Sequence, residues 1–208
     1  MTATNSLLIG IVCAMFTAQF VSAVSVPASS AAAIYTRAPL VNDSTNASWC
    51  NFNPGSGAKI GGMMLCKFDL SSYTGLVVDG DAQIQIRAYW VQSGYTFMFG
   101  SREIIDPWDA TTVTWDNYVG ITTSTFWQTK VGLAMETKNI NVSGQLWQFT
   151  VSNSVIQAML NNPAANNGIA VVGTGNICVR TPVYFNVADH PTLIFNTIST
   201  NQAPNTPT

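Results

Sequence analysis

Charged side chains are scarce in this chain of 208 residues. Lysine, arginine, aspartate and glutamate make up 9% of it and leave a formal net charge of -2, whereas about a quarter of an average globular protein is charged. This shortage gives no electrostatic reason for binding to nucleic acid or to an acidic membrane surface. Because 47% of the residues are hydrophobic, we expect much of the surface to be covered by another copy, a glycan or a neighbouring domain.

Groups suited to acid–base or nucleophilic catalysis are also few. The chain has one histidine, His190, and its place before Pro191 favours a structural hydrogen bond. Without a second histidine or a nucleophile elbow, a Ser-His-Asp or Cys-His site has no recognisable frame. Paired carboxylates on distant strands stay open as an alternative, but most of the acidic residues fall in turn contexts. We therefore predict that the protein is not an enzyme.

Metal-binding residues show little clustering. No Cys/His cluster indicates a zinc site. The stretch Asp79-Gly80-Asp81 spaces its oxygens like part of a calcium loop, but the other ligands of an EF-hand are missing. The sequence predicts no cofactor and leaves a structural calcium ion as the one alternative.

The apolar run near the start of the sequence, Leu7–Phe16, is too short to cross a bilayer as a helix. Val21-Ser22-Ala23 fits the small-residue cleavage site of a secretory signal. No lysine or arginine precedes the run, so a retained apolar extension is the alternative. We predict a signal peptide over residues 1–23, an extracellular location and no membrane span in the mature chain.

Cysteines number four, and cleavage of the signal would leave Cys50, Cys66 and Cys178. An odd count in a secreted chain implies one free thiol or an intermolecular bond. Cys50 and Cys66 flank a turn at Pro54–Gly57 and can face each other across a hairpin. We predict this pair as the disulfide, although sequence alone leaves the connectivity open.

Short strands separated by turn signals dominate the rest of the chain. Alternating apolar residues at Ile84, Ile86, Ala88 and Trp90 are typical of a half-buried strand, and Asp79-Gly80 predicts a turn. One helix is expected over residues 152–161, capped by Ser152 or Asn153 and stopped by Pro163. Further strands are expected at Ile34–Arg37, Trp49–Phe52, Met63–Leu70, Tyr95–Phe99, Phe126–Val131, Leu146–Val151, Ile169–Val172, Ile177–Val179, Val183–Val187 and Leu193–Thr197. The pattern predicts an all-β, antiparallel β-sandwich of jelly-roll type over residues 34–197, followed by a disordered tail over 198–208.

Two tryptophans stand seven residues apart, after an Asp-Pro turn. Trp108 and Trp115 flank a β-branched run, and large rings this close together usually anchor a corner of the core. We predict that both are structural, with Phe68 also in the core. A ligand platform is the alternative, since aromatic faces stack on sugars. Candidate platform rings are Trp49, Tyr89, Tyr95, Trp127 and Trp147.

The same corner resembles a known family. Trp108-Asp-Ala-Thr-Thr-Val-Thr-Trp115 is similar to a signature of the DNRLRE domain. Three segments similar to other motifs of that family occur in its order: Met64–Ser71, Val151–Gly168 and Ala188–Phe195. The resemblance covers roughly residues 31–197. It implies an extracellular β-sandwich module, of a family in which some members are classed as carbohydrate-binding.

Three N-glycosylation sequons begin at Asn42, Asn46 and Asn141. This number is what chance gives in a chain so rich in Asn, Ser and Thr, so the count alone is no evidence. Asn42 and Asn46 share a polar loop in which a glycan can stand in water. All three are therefore candidates.

Residues 24–33, before the first expected strand, are small, uncharged and interrupted by Pro27. Exposed sheet edges pair with available strands, and Val24 and Val26 begin the alternation that such a strand needs. We expect this N-terminal arm to dock on another copy, head to tail, in an extracellular filament or surface layer. The alternative function is a carbohydrate-binding module that recognises a polysaccharide, and a floppy leader is the alternative for the arm.

Overall fold

The computed structural model describes residues 21–35, 62–120, 129–173, 177–179 and 186–198. Within these ranges the chain consists mainly of antiparallel strands. In chain order they are β1 Val21–Tyr35, β2 Gly62–Phe68, β3 Val77–Val91, β4 Phe97–Ile104, β5 Val131–Ile140, β6 Leu146–Val151, β7 Ile169–Gly173, β8 Ile177–Val179 and β9 Thr192–Ile198. Two short α-helices join them, α1 Trp115–Tyr118 and α2 Asn153–Asn161.

Eight of these strands form one continuous sheet, in the order β5-β4-β7-β2-β1-β9-β3-β6, and β8 pairs with β3 outside this path. The two outermost strands meet through side chains. The Thr150 N–H donates to a Glu136 carboxylate oxygen at 2.5 Å, and Lys138 Nζ donates to the Gln148 carbonyl at 2.6 Å. The sheet therefore folds back on itself around a core. This confirms the predicted all-β, antiparallel, sandwich-like class.

The main core lies between the two halves of this folded sheet. In β3 the predicted alternation is confirmed as far as Ala88, because Ile84, Ile86 and Ala88 are fully buried while Gln83 is exposed. It is wrong for Trp90, which is 40% exposed, since the register with β8 shifts between Ala88 and Trp90. Strand β6 has the predicted bounds, Leu146–Val151. Other large members of this core are Met64, Phe68, Phe99, Phe149, Ile156, Leu160, Leu193 and Phe195.

Helix α2 closes one end of this core, within one residue of the predicted range. Its side chains also explain why the turn predicted at Asp79-Gly80 is wrong. Both residues lie inside β3, where the register with β9 shifts between Asp79 and Gln83. Asn153 Nδ2 donates to the Val78 and Gly80 carbonyls, and Asp81 accepts the Asn153 N–H. These bonds hold the irregular stretch against α2, so the chain bulges without reversing.

A second core lies on the outer face of β2, so this strand is buried on both faces. It is covered by the segment that runs from Ile104 to Val119 and contains α1. The sequence predicted one helix, and α1 is an addition. Its start is fixed by a capping box in which Thr114 and Asn117 each accept the other's backbone N–H.

Several other expected boundaries change. The first strand was expected at Ile34–Arg37, but β1 begins at Val21. Strand β5 occupies residues 131–140, where the sequence predicted only a strand ending at Val131. The strand expected at Trp49–Phe52 and the tail over 199–208 lie outside the described residues.

Candidate assembly strand and exposed aromatic surface

The predicted N-terminal arm is part of β1, in the middle of the chain's own sheet. Residues 21–27 pair with β9 and residues 28–35 pair with β2. The expectation of a free arm over residues 24–33 is therefore wrong for the single chain. The reason is that the segment's main-chain donors and acceptors are already paired along its length, with β9 in the first half and with β2 in the second.

Small side chains allow the second half of β1 to lie between the main core and the second core. Ala31, Ala32, Ala33 and Ile34 are at most 3% exposed, because one face of this half meets the main core and the other meets the second core. In the first half only one face is covered. Val26 is buried and Val24 half-buried against the main core, while Val21 is 57% exposed.

Pro27 lies where β1 passes from one partner strand to the other. It is paired with Thr192 at the end of the β9 ladder, and the β2 ladder begins at Ala28. Proline lacks an N–H, so it is tolerated where a ladder ends. The next residue restores the bonding, as the Ala28 N–H donates to the Pro191 carbonyl at 2.8 Å. The proline that we expected to interrupt pairing thus marks the change of partner.

Both predicted structural tryptophans lie in the second core, each 6% exposed. Trp108 Nε1 donates to the Asn167 carbonyl at 2.7 Å, and Lys67 Nζ lies 5.1 Å from the centre of its ring. Trp115 begins α1. Their ring faces are covered by protein, so neither is available as a ligand platform. Phe68 is buried in the main core.

Exposed aromatic side chains gather at the hairpin between β3 and β4. Tyr89 is 45% exposed, Trp90 40% and Tyr95 57%. The rings of Tyr95 and Phe97 lie parallel, with 5.9 Å between their centres and 4° between their planes. We call Tyr89, Trp90 and Tyr95, together with the half-buried Phe97 on which Tyr95 stacks, the aromatic surface. Trp90 and Phe97 were absent from the sequence-based candidates.

Of the remaining platform candidates, the structure describes Trp147 alone. Trp147 is half-buried and packs against the main core. Trp49 and Trp127 lie outside the described residues. Phe97 was missed because strand alternation gave no sign of which face of β4 would be open at its first residue.

The cations within the described ranges are all engaged by the chain itself. Arg87 pairs with Asp189, Lys130 with Asp106 and Lys138 with Glu136. Lys67 donates to the Trp108 carbonyl, and Arg102 donates to the Gly132 carbonyl at 2.7 Å. This part of the surface therefore offers little positive charge to an anionic partner.

Cys66 carries a free thiol at the centre of β2, fully buried. Burial in apolar surroundings raises the pKa of this thiol far above its ordinary value, so the free thiol is protonated. Its predicted partner, Cys50, lies outside the described residues. The pairing of the two therefore stays a prediction.

The sequon at Asn141 lies in the exposed turn between β5 and β6. The Ser143 hydroxyl of this sequon accepts the Val91 N–H at 2.8 Å, which ties the turn to the end of β3. Asn141 itself faces solvent, as a glycan requires. Asn42 and Asn46 lie outside the described residues.

Metal-binding groups do not converge in the described part of the chain, where no three acidic, histidine or cysteine side chains come together. Asp81, half of the candidate calcium stretch, is committed to the backbone of Asn153. The His190 backbone belongs to a turn, with its N–H on the Val187 carbonyl and its own carbonyl accepting from Thr192.

No helix in the described ranges combines the length and the apolar character needed to cross a membrane. No family model matches the chain, and no curated protein is significantly similar to it. The resemblance to the DNRLRE domain therefore stays a prediction based on its motifs.

Proposed function

We propose that this protein is a secreted, non-enzymatic structural subunit that assembles with copies of itself, head to tail, through β1. The observation that carries this proposal is the place of β1. The first described strand of the chain joins β9 to β2 in the sheet order, because its first half pairs with β9 and its second half with β2. The β1 strand of another copy can take this position and complete the sheet in the same way.

The connection between β1 and β2 gives the strand enough reach for exchange. About 26 residues separate Tyr35 from Gly62. Fully extended, such a segment spans roughly 85 Å, which is far more than the few ångströms between neighbouring strands. Every contact that β1 makes within its own chain can be made in a second copy, so exchange costs little beyond the entropy of association.

The exposed face of β1 carries no charged side chain in its first half, which favours contact with an uncharged surface of another copy. In the first half of β1 the outward side chains are Ala23, Ser25 and Pro27, and they are exposed. Together with the internal pairing of the described cations, this leaves little electrostatic repulsion between copies. Low charge around an exchangeable strand is the pattern expected of a subunit that is covered by its neighbours.

A cysteine pair across β1 and β9 tests the exchange. Ser25 is paired with Ile194, and both side chains point away from the core. Ser25→Cys in one chain and Ile194→Cys in another, co-expressed with different tags, should give a disulfide between differently tagged chains. Gln148→Cys on β6, two strands away from β9, replaces Ile194→Cys in the matched control and should give none.

The outcome separates the two arrangements. A disulfide that joins tagged chains in the Ser25/Ile194 combination alone supports exchange. If both cysteines placed in one chain form only an internal bond and the mixed chains never cross-link, β1 stays in its own sheet and the proposal is wrong. The wild-type chain, run in parallel, reports cross-linking by its native cysteines.

The aromatic surface supports a second candidate function, a carbohydrate-binding module for a polysaccharide. Tyr95 is 57% exposed and stacks on the half-buried ring of Phe97, so its ring is held in place and can lie against an apolar face of a sugar. Tyr95→Ala should then abolish retention on a polysaccharide column. Val187→Ala removes a comparably exposed side chain elsewhere (61%) and should leave retention unchanged.

A further inference from the structure

A cavity of about 440 Å³ lies between the end of β4, the C-terminal part of α2 and the turn that follows α2. This volume falls in the range of roughly 300–1,000 Å³ found for small-molecule sites. Its apolar walls include Ile105 and Met159, and its polar groups come from Glu103, Asn162 and Asn167. It is separate from β1 and contains none of the residues of the aromatic surface.

Glu103 is unusual because its carboxylate lies on the core side of the sheet. In β4 the side chains of Phe99 and Ser101 face inward, Phe99 in the main core and the Ser101 hydroxyl bonded to the Thr150 carbonyl. Ile104 belongs to the second core on the opposite side. Glu103 therefore points towards α2, and no described lysine or arginine forms an ion pair with it.

The other polar groups of the cavity add hydrogen-bond acceptors. Helix α2 ends there without a basic residue in its last turn, so its terminal carbonyls bring partial negative charge. Asn167 uses its side-chain N–H on the Ile105 carbonyl at 2.8 Å, which leaves its side-chain oxygen as an acceptor. The cavity thus supplies hydrogen-bond acceptors in addition to the carboxylate.

The wall that carries these groups is rigid before any ligand arrives. Asn166 Nδ2 donates to the Phe68 carbonyl at 2.9 Å, while its oxygen accepts the Gly168 N–H at 2.8 Å. Gly168 has φ of +93°, and a Cβ there would lie 1.9 Å from the Cys66 carbonyl oxygen. Only glycine fits this turn, so the geometry of the cavity is fixed by the fold.

We infer that this cavity binds a small organic molecule that carries a primary ammonium group and hydroxyl groups. The ammonium would pair with Glu103, and the hydroxyls would donate to the amide and helix carbonyl oxygens. A calcium ion fits less well, since it needs six to eight oxygens at about 2.3–2.6 Å, and this space is wider and supplies one carboxylate. The inference is independent of the proposed assembly.

Calorimetric titration of the mature protein with glucosamine, at a pH where its amine is protonated, tests the inference. Glucose and N-acetylglucosamine are the matched probes, because they keep the hydroxyls and lack the charge. We expect glucosamine to bind at least about tenfold more tightly than either neutral sugar. Glu103→Gln should remove that preference, while Asp116→Asn, which deletes a carboxylate on α1, should keep it.

Three results would overturn the inference. They are no binding of glucosamine, equal binding of glucose, and an unchanged preference in Glu103→Gln. Saturable binding of calcium that is lost in Glu103→Gln would assign the cavity to a metal ion instead. Thermal unfolding of each variant shows that the fold is intact, and Tyr95→Ala, which alters only the aromatic surface, should bind glucosamine as the wild type does.

Discussion

Replacement of Trp108 by alanine should be among the most destabilising single changes in the chain. Truncation of a buried tryptophan costs about 3–5 kcal/mol through lost transfer energy and the cavity left behind. Trp108 is 6% exposed, its Nε1 is the donor to the Asn167 carbonyl, and Lys67 lies over its ring. Because the lost bond also leaves a carbonyl unpaired, we expect about 5 kcal/mol, at the top of that range.

Two further variants divide this cost into parts. Trp108→Phe keeps most of the ring and removes the Nε1 donor, so it should cost about 1–2 kcal/mol. Trp90→Ala is the control, since Trp90 is 40% exposed, and it should cost about 0.5 kcal/mol. Equilibrium unfolding in urea measures all three. A loss below about 1.5 kcal/mol for Trp108→Ala, or no difference from Trp90→Ala, would refute the structural role of this corner.

Three other outcomes are expected. Trp115→Ala should lower the free energy of unfolding by about 3–5 kcal/mol in the same assay, and a fully folded variant of wild-type stability would contradict its place in the second core. Partial desolvation raises the pKa of Glu136, but hydrogen bonds from Thr150 and Lys138 outweigh it and the net pKa is lowered. Its carboxylate should therefore stabilise the fold at a pH above the ordinary glutamate pKa. That stabilisation should disappear as the pH falls through the lowered pKa. In urea unfolding from pH 7 to pH 3, the free energy of unfolding should thus fall less for Glu136→Gln than for the wild type. Incubation with a panel of polysaccharides should release no reducing ends or unsaturated products, and turnover that disappears in Asp116→Asn would place the protein among enzymes.

Strands in which large apolar residues alternate with polar ones could be predicted from the sequence. The period-two pattern over Gln83–Ala88 of β3 and the segment Leu146–Val151 of β6 gave the right type of element, because one face of each is buried and the other is not. The apolar face of α2 was equally clear, since Ile156, Met159 and Leu160 recur at helical spacing and are the buried residues of the helix.

Elements whose structure depends on contacts with other parts of the chain could not be predicted from the sequence. The Ala-rich half of β1 has no alternation, because both of its faces are covered by other parts of the chain. Asp79-Gly80 looks like a turn until the side chains of α2 hold it as a bulge. Helix α1 is a single turn whose capping box uses Asn117 at the position where glutamate or glutamine is the usual signal.

The candidate sites, too, could be predicted only in part from the sequence. That Tyr89 and Tyr95 are aromatic could be read from the sequence, but their exposure depends on which faces of β3 and β4 the sheet covers. Glu103 gave no signal at all. Its inward direction comes from the alternation within β4, and its cavity exists only because α2 packs over the end of that strand.

The position of β1 in its own sheet also limits when the proposed exchange between copies could take place. Because about 26 residues connect β1 to β2, the effective concentration of β1 at its own position in the sheet is of the order of millimolar. Folded subunits at lower concentration would therefore keep β1 in place, and its release requires both ladders to open. Exchange between copies is favoured while chains are still folding close together, before that position is occupied. Once formed, an exchanged assembly is protected by the same two ladders, so it should dissociate slowly even after dilution.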